Sequence, residues 1–167
     1  MKFTLVPEYK FERFDEVTVD FLLSLGVRGV LLDVDNTLEP YENDLPTKKV
    51  CDWLNSLSNA GIKTAIVSNN NFERVDLFNK NLGMPAYAKA GKPFKRNLLR
   101  AMADMGTNTS DTIFMGDQIL TDVWAAHNAG IKAILVSPIS DKKDVFTRFK
   151  RLLERPIISK YEKGKNK

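Results

Sequence analysis

Asp33 and Asp35, separated by Val34 and followed by Asn36 and Thr37, come directly after the apolar run Val30-Leu31-Leu32. A short apolar run after Gly29 reads as a buried parallel strand with a polar cluster at its C-terminal end. Residues two apart on a strand share a face, so the two carboxylates start on one side. Carboxylates that close repel each other, and a cation between them or a proton on one of them relieves the repulsion. In open α/β sheets, ligands bind outside the carboxyl ends of the strands. A D-x-D at that place is suited to metal binding and to acid–base work.

Polar groups recur at the ends of later strand-like runs. Ile62 to Val67 closes in Ser68-Asn69-Asn70-Asn71, and Ala86-Tyr87-Ala88 precedes Gly91-Lys92-Pro93. Thr112 to Met115 runs into Gly116-Asp117-Gln118 with Asp122 close behind, and Ile131 to Val136 reads as a fifth strand. Right-handed crossovers bring such ends to one edge of a parallel sheet. The convergent set is then Asp33, Asp35, Asp117, Asp122, Thr37, Ser68 and Lys92. Carboxylate oxygens suit Mg²⁺, while hydroxyls and an ammonium suit phosphoryl oxygens, so the set points to metal-assisted phosphoryl transfer. The single histidine, His127, lies in a helical pattern away from the strand ends and reads as structural. The single cysteine, Cys51, sits beside Trp53 and Leu54 and reads as packing. A Ser-His-Asp triad and a Cys/His zinc site are thereby excluded.

The elements that must position these groups alternate in type. Helices are expected over Phe14 to Leu25, from the cap Thr47 through Leu57, over Phe72 to Leu82, from Pro93 to about Met105, and over Thr121 to Asn128. Strand and helix in alternation give an α/β chain, a doubly wound, Rossmann-like three-layer fold around a central parallel sheet. At 167 residues and 43% hydrophobic content, one unit over 1–167 is expected, with its core in about 20–140. No stretch approaches the roughly 18 apolar residues of a membrane span. The start Met1-Lys2-Phe3-Thr4-Leu5-Val6-Pro7-Glu8 turns charged too soon for a signal peptide. One cysteine suits a reducing compartment, so a cytoplasmic protein is expected.

Charge is unevenly spread. From Asp141 to Lys167 there are ten Lys or Arg against four Asp or Glu, a local +6, whereas the preceding 140 residues carry 15 against 17. Val145, Phe146, Phe149, Leu152 and Leu153 recur there at helical spacing among Lys142, Lys143, Arg148, Lys150, Arg151 and Arg155. The pattern predicts an amphipathic basic helix that ends before Pro156. Its cationic face is either solvated or turned to anionic lipid or nucleic acid.

D-V-D-N-T, I-V-S-N-N, G-K-P and G-D-Q-I-L-T-D, in that order, match the four motifs of the haloacid dehalogenase (HAD) superfamily of phosphatases. Their wording resembles the capless subclass IIIA, YqeG-like branch, which is similar to phosphatidylglycerophosphate phosphatases. The resemblance implies that Asp33 is the nucleophile and Asp35 the general acid and base. It places Mg²⁺ on Asp33, the backbone carbonyl of Asp35, and Asp117. Ser68, Lys92 and the backbone around Asn36 would hold phosphoryl oxygens. Thr37 would join them or brace the turn, Asn69 would meet substrate, and Asp122 would orient Lys92 or a metal-bound water. Caps in this superfamily are inserted after the first motif or between the second and third. Ten residues from Thr37 to Thr47, and 24 from Ser68 to Lys92, leave no room for one. An open site beside a basic tail favours a lipid-borne phosphomonoester at an anionic membrane, phosphatidylglycerophosphate first. Nucleic acid is disfavoured because stacking aromatics are sparse near the basic segment. Two further readings stay open: a phosphatase of a soluble or nucleic-acid phosphomonoester, and a non-catalytic scaffold binding nucleic acid or a partner protein.

Overall fold

Six short runs form strands: β1 (Tyr9–Phe11), β2 (Gly29–Leu32), β3 (Lys63–Val67), β4 (Ala86–Tyr87), β5 (Thr112–Gly116) and β6 (Lys132–Val136). They make one sheet in the order β1-β6-β5-β2-β3-β4, with every pair parallel. The structure, a computed structural model, describes residues 4–140 and 145–165, with side chains described for 4–140 and 152–164.

Strict alternation along the strands builds two cores. Val30 and Leu32 of β2, Ile66 of β3, Ile113 and Met115 of β5, and Ile134 and Val136 of β6 face one side. They meet α1 (Val19–Ser24), α2 (Lys48–Asn59) and α3 (Phe72–Asn79) through residues such as Leu22, Trp53, Leu57 and Phe78. Leu31, Ala65, Val67, Phe114, Ala133 and Leu135 face the other side. There they meet α4 (Arg96–Met105) and α5 (Trp124–Ala129) through Leu98, Met102, Ala125 and Ala126. The central strand β2 is buried on both faces, which is why it reads as a continuous apolar run. The expected doubly wound, three-layer architecture is what the chain adopts.

Several expected boundaries are corrected. The helix over Phe14 to Leu25 is two pieces, a 3₁₀ turn at Phe14–Glu16 and then α1. Thr18 restarts it, accepting the Phe21 N–H on its hydroxyl at 3.2 Å, so a cap overrides the apolar periodicity. Pro93 does not open a helix: Lys92–Pro93 is a cis peptide in a loop, and α4 begins at Arg96. The stretch from Thr121 starts earlier, as a π-helical turn over Ile119–Val123 that continues into α5. β1 was not expected, because Tyr9-Lys10-Phe11 between Glu8 and Glu12 is too short to show a period. Pairing with β6 and edge-to-face contacts of Tyr9 and Phe11 with Phe21, at 5.1 and 5.2 Å, hold it in place.

The C-terminal helix α6 (Val145–Lys165) runs through Pro156 instead of ending before it. Proline removes one backbone bond there, but contacts on both sides hold the helix on. Glu154 accepts the Leu120 N–H at 3.0 Å, Ile157 and Ile158 pack on the second core, and Lys10 pairs with Glu162 at 2.9 Å. Turning Glu154 inward leaves Leu152 and Leu153 exposed, opposite to the expected apolar face. Lys142 and Lys143 lie outside the described residues, as do the side chains of Val145, Phe146, Arg148, Phe149, Lys150 and Arg151. Among the described residues no helix is long and apolar enough to cross a membrane. His127 is structural: its ring meets the Thr4 carbonyl at 2.5 Å and Glu8 at 3.1 Å, pinning the N-terminal segment. The Glu8 hydrogen bond holds its imidazole above the ordinary range.

Candidate active site

The chain leaves β2 for β3 and β4 on one side, then returns to β5 and β6 on the other. That reversal makes the C-terminal ends of β2 and β5 the switch point at which a doubly wound sheet opens a crevice. Asp33 follows β2 there, its N–H donating to the Met115 carbonyl at 3.0 Å, and Asp117 follows β5. The chain then turns sharply, with the N–H groups of Thr37 and Leu38 donating to Val34 O at 3.1 and 2.9 Å. Asn36 supplies the left-handed residue at φ 61°, a region Asn tolerates better than most side chains. Its own N–H goes to Glu39 O at 2.6 Å. The Asn36 amide expected at a phosphoryl oxygen is therefore committed within the loop, and its buried side chain has no hydrogen-bond partner. Glu39 braces the same loop, accepting Thr47 N–H at 2.7 Å and Asn43 Nδ2 at 2.9 Å.

One ammonium ties the carboxylates together. Lys92 Nζ lies 2.8 Å from Asp33 Oδ1 and 2.7 Å from Asp122 Oδ1, and its side chain is only 2% exposed. Burial pushes the ammonium down, but Asp122 and Asp33 outweigh it and hold Lys92 above its ordinary value. Burial, with Asp122 and Asp35 adding repulsion, pushes the Asp33 carboxyl up to about 6 despite Lys92. The other oxygen of Asp122 accepts the Gln118 N–H at 3.0 Å. Asp122 therefore orients Lys92, one of its two expected roles. Thr37 Oγ1 stands 3.4 Å from both Asp33 Oδ2 and Asp117 Oδ1, bridging the two strand ends.

Gly116 makes that arrangement possible. A Cβ there would meet Asp122 Cγ at 2.4 Å, so any larger residue must displace the carboxylate that holds Lys92. Gly116→Ala should cost about 1–3 kcal/mol in denaturant melts, the range for overpacking a tight site. Phosphatase turnover should fall with it. An unchanged melting curve would mean that Asp122 can move aside without loss.

Two residues of the site escaped the sequence reading. Arg74 Nε and Nη2 lie 3.0 and 2.9 Å from Asp35 Oδ1, and Asn70 Nδ2 donates to Asp35 Oδ2 at 2.8 Å. Asp35 is thus held on both oxygens. Arg74 reads in sequence as a surface charge on a helix. The available signal was its place on the inner stripe with Asn71, Val75 and Phe78, where Asn71 caps α3 by accepting the Arg74 N–H at 2.9 Å. Ser68 stands at the end of β3, its hydroxyl accepting the Asn70 N–H at 3.2 Å. Asn69 grips the backbone of Lys92 at both ends of its amide, at 2.8 and 3.1 Å, so in this structure it serves the Lys92 loop.

Asp33, Asp117 and Asp122 each bring a carboxylate oxygen within 4.8 Å of the others, all three buried. Three buried carboxylates against one ammonium leave an excess of negative charge. All-oxygen donors of this kind fit a hard divalent cation. A cavity of 240 Å³ opens beside Asp117, between the end of β6 and α6, with Lys10, Arg155, Leu135 and Ile158 among its lining.

The sequence model of the haloacid dehalogenase-like hydrolases matches residues 5–130. "Probable phosphatase YqeG" of Bacillus subtilis (strain 168) is 38% identical over 158 residues, covering 95% of this chain and 91% of that protein. Among solved structures, an uncharacterized protein from Listeria monocytogenes serotype 4b superposes with a TM-score of 0.54 at 18% identity. It covers 71% of this chain and 85% of its own. The cobalt-bound deoxy-D-mannose-octulosonate 8-phosphate phosphatase from Haemophilus influenzae gives a TM-score of 0.52 at 13% identity, over 78% of this chain and 88% of its own. These two likenesses are of fold.

Proposed function

Because this chain belongs to the haloacid dehalogenase-like hydrolases and is a phosphatase of that family, we propose that it is a Mg²⁺-dependent phosphomonoesterase acting on phosphatidylglycerophosphate. The observation that carries the chemistry is the buried Asp33–Lys92–Asp122 chain at the switch point. Asp33 attacks phosphorus in line, forming an Asp33–phosphorus bond as the bond to the leaving alcohol oxygen breaks. Asp35 gives that oxygen its proton, then takes one from the water that hydrolyses the aspartyl-phosphate. Arg74 and Asn70 keep Asp35 aimed during both steps. Lys92 and Ser68 hold the phosphoryl oxygens, and Asp122 keeps Lys92 in place. Asp33, Asp117 and the Asp35 carbonyl would hold Mg²⁺, which when bound offsets the repulsion between nucleophile and phosphate.

Three features support a lipid-borne substrate. No strand or helix is inserted between Thr37 and α2, and only α3 and β4 lie between Ser68 and Lys92, so no cap covers the strand ends. A largely apolar cavity lined by Leu135, Val136 and Ile158 adjoins Asp117, one of the carboxylates that would hold the metal. The +6 carried by residues 141–167 suits an anionic surface. The protein would then work in the cytoplasm at the inner face of the membrane, within the subclass IIIA, YqeG-like branch.

Phosphate release across phospholipids, nucleotides and sugar phosphates tests the substrate. Phosphatidylglycerophosphate should give the highest kcat/KM, and a soluble phosphomonoester preferred over it would overturn the assignment. Each engaged cation at such a surface contributes about 1 kcal/mol, so three raise binding roughly a hundredfold, and salt screens the effect. Replacing Lys142, Lys143, Lys150 and Arg151 by Gln should therefore slow turnover of vesicle-borne substrate at low salt. An equal loss on p-nitrophenyl phosphate would show that the tail has no surface role.

A further inference from the structure

Large apolar side chains stand exposed on the segments that follow the strands at the catalytic edge of the sheet. Tyr41 and Leu45 after β2 are 52% and 51% exposed, Phe72 after β3 is 58%, Phe94 after β4 is 75%, and Ile139 after β6 is 45%. These segments are bonded to one another around the site. Arg74 Nη1 donates to Asp44 O at 3.0 Å, the Lys89 N–H to Asn70 O at 2.8 Å, and the Ile139 N–H to Asn36 O at 3.1 Å. The exposed apolar groups thus stand on the same frame as Asp33, Ser68 and Lys92. Cations are interleaved with them. Lys89 Nζ lies 5.6 Å from the Phe72 ring centroid, and exposed Lys95 and Arg96 follow Phe94. Exposed acids stand among them too, Glu42 and Asp44 beside Tyr41 and Glu73 beside Phe72.

The occupant of such an edge must cover apolar groups without sealing the site. A second copy or a globular protein seated there would shut substrate out from Asp33. A nucleic-acid platform works by ring stacking, which Leu45 and Ile139 cannot provide. The headgroup region of a bilayer accepts aromatic and aliphatic groups together, and anionic lipids draw Lys and Arg. It also delivers a phosphomonoester directly to the opening. We infer that the catalytic edge is itself the membrane-docking face, with Phe72, Phe94, Tyr41 and Ile139 seated among anionic headgroups and Lys89 and Lys95 on lipid phosphates. The inference rests on the lipid-substrate reading and adds the mouth of the site to the basic tail as a membrane contact.

The test is sedimentation of the full chain with vesicles of phosphatidylcholine alone or mixed with phosphatidylglycerol. Circular dichroism and thermal melts confirm that each variant is folded. Phe72→Ser with Phe94→Ser should lower partition onto mixed vesicles roughly a hundredfold, about tenfold per ring, at any salt concentration. Lys89→Gln with Lys95→Gln should lower it on the mixed vesicles at low salt and leave phosphatidylcholine partition as it was. Full partition by the double Phe variant, with loss on replacing the cations of the tail, would overturn the docking face and leave the lipid reading standing. Hydrolysis of detergent-dispersed phosphatidylglycerophosphate by a wild-type chain that never sediments with vesicles would do the same. Failure to hydrolyse that dispersed lipid would instead sink the lipid reading. Single-stranded RNA bound by the wild type and released by the Phe substitutions would also overturn the bilayer, in favour of nucleic acid.

Discussion

Asp33→Asn should abolish phosphate release from a protein that still folds, lowering kcat by roughly 10⁴- to 10⁶-fold, the scale on which losing a covalent nucleophile acts. An amide does not attack phosphorus. The fold should survive for an electrostatic reason. Burial already pushes the Asp33 carboxyl up to about 6, so its charged form is disfavoured in the native state. An uncharged amide removes that cost, and Lys92 keeps Asp122 at 2.7 Å as its counter-charge. At neutral pH the melting temperature of metal-free Asp33→Asn should equal or exceed that of the metal-free wild type. Trapping the wild type with fluoride–beryllium or labelled substrate should mark Asp33. Label on any other residue would end the aspartyl-phosphate mechanism.

Chelation should silence the enzyme reversibly, with turnover falling on the order of a thousandfold, the several kcal/mol a metal ion supplies to phosphoryl transfer. Mg²⁺ or Mn²⁺ should restore it in the wild type and fail to restore it in Asp117→Ala. Stability gives a second readout. A carboxyl whose folded value is raised from 3.8 to about 6 binds more protons folded than unfolded between those values. Its contribution is therefore fully present below about pH 4 and is lost as pH rises through about 6. The melting temperature of the metal-free wild type should drop across that window more than that of Asp33→Asn. Saturating Mg²⁺ should flatten the drop by favouring the ionised form. Full turnover in excess chelator, or matching pH profiles for the two proteins, would be incompatible with a cation on Asp33 and Asp117.

Much of the site is written in local pattern. Asp33, Ser68, Lys92 and Asp117 each follow a short apolar run, and a polar group there lies at the C-terminal end of a buried strand in any parallel sheet. The alternation of strand and helix carried the layers for the same reason. What local pattern could not carry is what contacts distant in sequence decide. Arg74 looks like solvent-facing charge until α3 is laid beside the loop after β2, where Asp35 and the Asp44 carbonyl claim its guanidinium. Glu154 belongs to a basic, amphipathic run, yet it turns inward because the Leu120 N–H at the start of the π-helical turn needs an acceptor. Pro156 stays inside α6 because Ile157 and Ile158 find the second core beyond it.

The amino-acid sequence alone thus determined the strand ends, the identity of the groups placed there and the class of chemistry they support. Each of these depends on periodicity and spacing within a few residues. Tertiary structure alone decided that Lys92 lies between Asp33 and Asp122, that Gly116 has no room for a methyl group, and that exposed apolar residues follow four of the strands at one edge of the sheet. The first and last of these relate segments tens of residues apart, and the second depends on how the π-helical turn after β5 folds Asp122 back over the strand end. They exist only once strand order and register are fixed, because only then do carboxylates carried on different strands come close enough to feel one another's charge.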